Sequence, residues 1–288
     1  MAVSGCAGET APVLTNEASA PANVMSTEHE EGAGPAVSNL GEAADDANPA
    51  TASYRVLVTG FNDWKELGDP PNIWLCKVNP SCRLLLGDAL AEEPVAVEGG
   101  ELVSRLRQMR RTPSGREIEW SFATMPVTWQ IAESVPLADH DLVIHLGLGV
   151  YDRFDQLKLE RGAYNERRGK DAAGNARQEP IQSDAPTTKS APSASKTDAI
   201  LDGLDGLELG DYSVAVAAAR PENSYLCNET HYRALLELDA AREAGARLQR
   251  VHFLHIPYAE NDDYARLADG VAALIERLVA GDAKPVRG

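Results

Sequence analysis

Residues 54–61 read YRVLVTGF, a short apolar, β-branched run that ends at Gly60-Phe61. Such a run, with no polar alternation, is what a strand buried on both faces of a sheet requires before it breaks into a loop. Working outward, comparable runs recur at Ile118–Val127, at 142–147 (LVIHLG), at 213–219 (SVAVAAA) and at 251–256 (VHFLHI). Between them lie segments with helical character: 80–90, 102–111, 129–135, 226–244 and 264–280. The last two place apolar residues at i, i+3 and i+4 with charges between them. Strands alternating with helices predict a single three-layer α/β/α domain over residues 54–283 with a mostly parallel central sheet. In that architecture the site is expected beyond the carboxyl ends of the strands.

The flanks read differently. Residues 1–53 hold eight acidic residues and neither Lys nor Arg. Their Ala, Ser, Thr, Gly and Pro content cannot bury enough apolar surface to offset chain entropy, so a disordered acidic tail is expected. It has neither the basic start and apolar core of a secretory signal nor the arginines of a transit peptide. Residues 172–199 are rich in Ala, Ser, Thr and Pro with little periodicity and read as a long, partly mobile surface loop. A net charge of −17 argues against a nucleic-acid partner, and no apolar run reaches the length of a membrane span. The four cysteines, Cys6, Cys76, Cys82 and Cys227, form neither a disulfide framework nor a zinc pattern, which points to a reducing, cytoplasmic setting. The sequence does not address the oligomeric state.

The strand-to-loop turn at Gly60 invites a dinucleotide reading, but GxGxxG is missing: Gly60 is followed by FNDWKELG (61–68). Cys227 is the more informative residue. It opens the 226–244 helix, where the positive end of the helix dipole favours a thiolate; the competing reading is a small buried hydrophobe. Two histidines compete as its base. His231 lies one turn along the same helix, whereas His255 ends the 251–256 strand. Alternation puts His255 on the face of Phe253 and His252 on the opposite face. A side chain one turn away is expected to lie along the helix surface, which favours His255. His145 reads as a core histidine, His140 and His29 as exposed. Glu160, within LKLERGAY (157–164), is either a solvated strand residue or the third group that orients the imidazole. Spacing leaves that choice open.

Seven segments carry a resemblance: VLVTGF (56–61), NPS (79–81), DLVIHLGLG (141–149), LERGAYN (159–165), QEPI (178–181), SYLCNETHY (224–232) and FLHIPY (253–258). In this order they resemble the pyroglutamyl-peptidase I, or pyrrolidone-carboxylate peptidase, family of cysteine peptidases. The resemblance implies a catalytic triad of Cys227, His255 and Glu160. It also implies a cytosolic omega-peptidase, free of metal and cofactor, acting on peptides with an N-terminal pyroglutamyl residue. Phe61 and Tyr225 fall where that family stacks aromatics on the lactam ring, though both also read as core aromatics.

Departures from the pattern bear on substrate. Trp64 stands where the family has a phenylalanine and could narrow the slot, and about ten extra residues precede Asn79. The family's oxyanion arginine has Arg168 and Lys170 as its nearest counterparts here. Two other readings therefore stay open. The same fold and triad could act on another small cyclic amide or N-blocked peptide, or the chain could be an inactive relative that binds a partner.

Overall fold

The computed structural model describes residues 52–65, 74–87, 99–185, 187–190, 199–221 and 224–281. The acidic tail expected over 1–53 lies outside the described residues up to Thr51. Strand β1 (Tyr54–Phe61) pairs in parallel with β2 (Ile118–Met125) and with β3 (Leu142–Val150), and β3 pairs in parallel with β11 (Arg250–Pro257). On its far side β11 meets β4 (Gln156–Glu160), which runs antiparallel to it. β4 is in turn parallel to β10 (Tyr212–Ala217), and the short β9 (Glu208–Leu209) closes the edge. The order is β2-β1-β3-β11-β4-β10-β9. The sheet is mostly parallel, as the runs of apolar residues predict, but β4 and β10 run against the other long strands.

Side-chain alternation divides the two faces. Val56, Val58, Ile144, Leu146, Leu254 and Ile256 turn to one side, into a core built with α1 (Pro80–Leu86), α2 (Glu101–Leu106) and α4 (Tyr264–Ala280). Leu57, Val143 and Val251 turn to the other side, under Tyr232, Leu235 and Leu238 of α3 (Leu226–Glu243). That α3 face carries everything described below. The helix α1 starts at Asn79, whose side chain accepts from the Ser81 N–H, with Pro80 in the first turn, where its missing N–H costs nothing.

Three expectations need correction. Residues 129–135 do not form an α-helix: after the left-handed Gln130 only a 3-10 turn, Ile131–Ser134, follows. The segment read as a long, partly mobile surface loop over 172–199 contains β7 (Ala176–Glu179), paired antiparallel with β6 (Arg167–Lys170). It also contains β8 (Thr188–Ser190), paired with β5 (Gly162–Tyr164). The cysteines were expected unbridged, but Cys76 and Cys82 form a disulfide, because the turn into α1 folds back over six residues. Among the described residues no helix is long and apolar enough to cross a membrane.

Candidate active site

His255 and Glu160 meet through sheet geometry. In the antiparallel register Leu254 faces Leu159 and His255 faces Lys158. Glu160 therefore projects from the same face as Phe253 and His255, one diagonal step away. His255 Nε2 lies 2.9 Å from Glu160 Oε1, and both side chains are buried. His255 Nδ1 is buried and has no hydrogen-bond partner, so one ring nitrogen is held and the other is left over.

Cys227 lines the same recess as this pair. It sits in the first turn of α3, whose N-cap is Tyr225, where backbone N–H groups have no acceptor within the helix. Asn228, the next residue, locks the helix start onto the strand segment that carries Glu160. Its amide oxygen accepts from the Tyr164 N–H, and its nitrogen donates to the carbonyls of Tyr164 and Glu166. Beneath, β3 supplies two glycines where side chains would collide. A Cβ on Gly147 would lie 2.9 Å from Cys227 Sγ, and one on Gly149 only 1.9 Å from His255 Nδ1. Cys227, His255 and Glu160 line one small recess together with Gly162, Asn228 and His231. Cys227 is itself disulfide-bonded, so thiol chemistry at this position belongs to the reduced protein.

Aromatic side chains gather around Cys227. Phe61, Trp64 and Tyr225 share a cluster with Cys227, joined by Trp74, Trp129 and Phe253. Trp64 stacks on Tyr225 with ring centroids 6.2 Å apart, and Trp129 meets Tyr225 edge-on at 5.6 Å. The Tyr225 hydroxyl donates to the Lys170 carbonyl, and its ring rests on Gly169, where a Cβ would intrude to 2.8 Å.

The solved structures place this arrangement in a known fold. Pyroglutamyl peptidase I from Bacillus amyloliquefaciens is 21% identical with a TM-score of 0.51, over 80% of this chain and 96% of that one. The pyrrolidone carboxyl peptidase from the keratin-degrading Fervidobacterium islandicum AW-1 is 20% identical with a TM-score of 0.51, over 78% of this chain and 98% of that one. The fold is that of these peptidases. No family profile and no curated protein sequence matches the chain.

Three readings of single residues differ from the structure. Arg168 and Lys170 do not line the cavity. Both side chains are exposed, and the Arg168 guanidinium is bonded to Glu166 at 2.7 Å. The sheet-like β6–β7 hairpin turns them outward. The arginine that turns inward is Arg167, which pairs with buried Glu229 at 2.9 Å; Glu229 also accepts from the Gln130 N–H and from Arg233. His231 was expected along the helix surface, yet it is buried and lines the cavity. His140 is likewise buried, with Nδ1 on the Pro136 carbonyl.

Nothing in the sequence alone singles out Asn228, Trp129 or the two glycines. The nearest signal was LGLG at 146–149, since glycine inside a strand marks a close approach. His145 is a core histidine as read: its Nδ1 bonds Thr59 Oγ1 at 2.7 Å, and burial lowers its pKa to about 3. Among the described residues no group of three or more His, Cys, Asp or Glu is arranged to hold a metal ion.

Proposed function

We propose that the chain is a cysteine omega-peptidase that hydrolyses the amide bond after an N-terminal pyroglutamyl residue. The observation that carries this reading is the buried 2.9 Å contact between His255 and Glu160 in the cavity that Cys227 also lines. A nucleophile, a base and an orienting acid sharing one cavity are the parts an acyl transfer needs.

In this mechanism His255, held at Nε2 by Glu160, takes the Cys227 proton at Nδ1. The thiolate attacks the pyroglutamyl carbonyl, and imidazolium then protonates the departing amine, leaving a thioester. Water, deprotonated by His255, attacks the thioester carbon; the C–S bond breaks and the thiolate returns. With Arg168 and Lys170 turned outward, the oxyanion falls to the backbone N–H groups of the first turn of α3, where the helix dipole also favours negative charge. The Phe61, Trp64 and Tyr225 cluster offers a flat, uncharged ring an apolar wall beside the sulfur.

One observation favours a second substrate. Trp64 already stacks on Tyr225 at 6.2 Å, leaving little room for a ring between them, so a different small cyclic amide or N-blocked peptide is the alternative if Trp64 does not swing aside. The test uses reduced protein with fluorogenic pyroglutamyl, glutamyl and prolyl amides. Turnover of the pyroglutamyl amide alone, abolished in Cys227→Ala, is the expected result. Turnover that survives in Cys227→Ala removes the mechanism.

A further inference from the structure

His231 has no part in the triad, yet it occupies the same cavity. It is one helical turn from Cys227, so both side chains project from one side of α3. Its ring packs against Phe253 at 6.0 Å, the same ring that His255 approaches at 5.0 Å. The residue is buried, and its Nδ1 has no hydrogen-bond partner. A buried polar atom left unsatisfied is costly and calls for a reason. The packing of α3 offers none, because Tyr232, Leu235 and Leu238 already supply its apolar contacts to the sheet.

The rest of the cavity narrows the possibilities. Asn228 is committed to Tyr164 and Glu166 through its amide oxygen and nitrogen. Glu160 uses Oε1 for His255, which leaves the Nδ1 atoms of His231 and His255, both buried and without a hydrogen-bond partner, as the polar groups still to be satisfied. The apolar wall for an acyl group comes from other residues, Phe61, Trp64 and Tyr225, which cluster with Cys227 but do not line the recess. A small polar recess beside a nucleophile, with two unsatisfied groups, suits a water molecule. Resting on the peptidase reading above, we propose that His231 positions the water that hydrolyses the acyl-enzyme on Cys227.

In this step the water donates one hydrogen bond to a neutral His231 nitrogen and gives its other proton to His255 Nδ1. Its oxygen bonds to the thioester carbon, the C–S bond breaks, and the carboxylic acid leaves with the Cys227 thiolate restored. His231 takes no proton. Burial holds it at about pKa 4, with Glu160 opposing that shift and His145 and His255 reinforcing it. It therefore stays neutral at physiological pH and does not compete with His255 as base.

The experiment follows the acetyl-enzyme formed by p-nitrophenyl acetate on the reduced full chain, by intact mass and by p-nitrophenol release. Cys227→Ala identifies the acylated residue. His231→Phe keeps a ring of similar shape against Phe253 and removes both nitrogens. The expected result is acetylation within about threefold of wild type and an acetyl-enzyme lifetime longer by about 10- to 100-fold, partly restored by His231→Asn. An unchanged lifetime in His231→Phe, or equal slowing of acetylation and deacetylation, overturns the role of His231 and leaves the nucleophile standing. Acetylation of wild type that Cys227→Ala does not abolish removes the nucleophile and this inference together.

Discussion

In the proposed peptidase the role of Glu160 turns on a single contact. Strand alternation in LKLERGAY allows either a solvated carboxylate or an orienting one, and the antiparallel register of β4 on β11, which sequence does not encode locally, decides it. In the proposed mechanism, Oε1 on His255 Nε2 at 2.9 Å leaves Nδ1 as the nitrogen that takes the thiol proton. Glu160→Gln keeps the volume but removes the charge, and its amide can present N–H where the ring needs an acceptor. The expected outcome is an unchanged circular-dichroism spectrum with kcat/KM lower by about 10- to 1000-fold, since loss of an orienting acid costs up to roughly 10⁴ in the Ser-His-Asp triad. Glu166→Gln is the matched control, because its carboxylate answers Arg168 and Ser224 rather than the imidazole. Equal rates for Glu160→Gln and wild type would reduce the site to a Cys227–His255 pair. His231 teaches the opposite lesson about reading single residues. Helical spacing places it beside Cys227 correctly, but the packing of that helix face on Phe253 of β11 turns it from surface into the lining of the recess.

Among the elements, the long buried strands and the two long helices were legible because their apolar patterns are strong: β1, β3, β11, α3 and α4 fall where the periodicity puts them. The β6–β7 hairpin was not. RRGK and ARQE are polar on both faces, and three of the four β6 residues are exposed or paired outward, so no hydrophobic alternation announces them. The reversed direction of β4 and β10 was hidden for a related reason, since a buried strand reads the same whichever way it runs. The glycines of β3 carry the element's link to function. Gly149→Ala would drive a methyl to within 1.9 Å of His255 Nδ1, while Leu146 and Leu148 on the other face keep their packing. The imidazole must rotate away from its bond to Glu160, and misplacement of a reacting group by about 1 Å costs about 100-fold. Gly149→Ala is expected to lose at least that factor in kcat while its Tm falls by only a few degrees. Near wild-type turnover in a folded Gly149→Ala protein would mean that the ring has slack the packing does not reveal.

For the whole molecule, the concentration of buried neutral histidines on and behind the site has a consequence for acid stability. Burial lowers His145 to about 3 and His231 to about 4, and it carries His252 well below its usual value, with Arg250 and His231 adding to that shift. In the unfolded chain each histidine titrates near ~6.5. The native values lie below the unfolded ones, so this stability is fully present above about pH 6.5. It declines as pH falls, because the unfolded chain takes up protons that the native protein refuses, and the loss is complete only below the native values. Each histidine contributes a slope of about 1.4 kcal/mol per pH unit within the window, and the three together about 4 kcal/mol per unit at most. Urea unfolding between pH 5 and 6.5, above the range where ordinary carboxylates titrate, isolates this contribution. The expected result is an unfolding free energy that drops steeply across that interval, with His231→Phe, which cannot take up the proton, flattening the slope by about one third. A stability that is level from pH 6.5 to 5 would mean that these rings are solvated and protonated in the native protein, and a sealed, neutral His231 could not then stand beside the thioester.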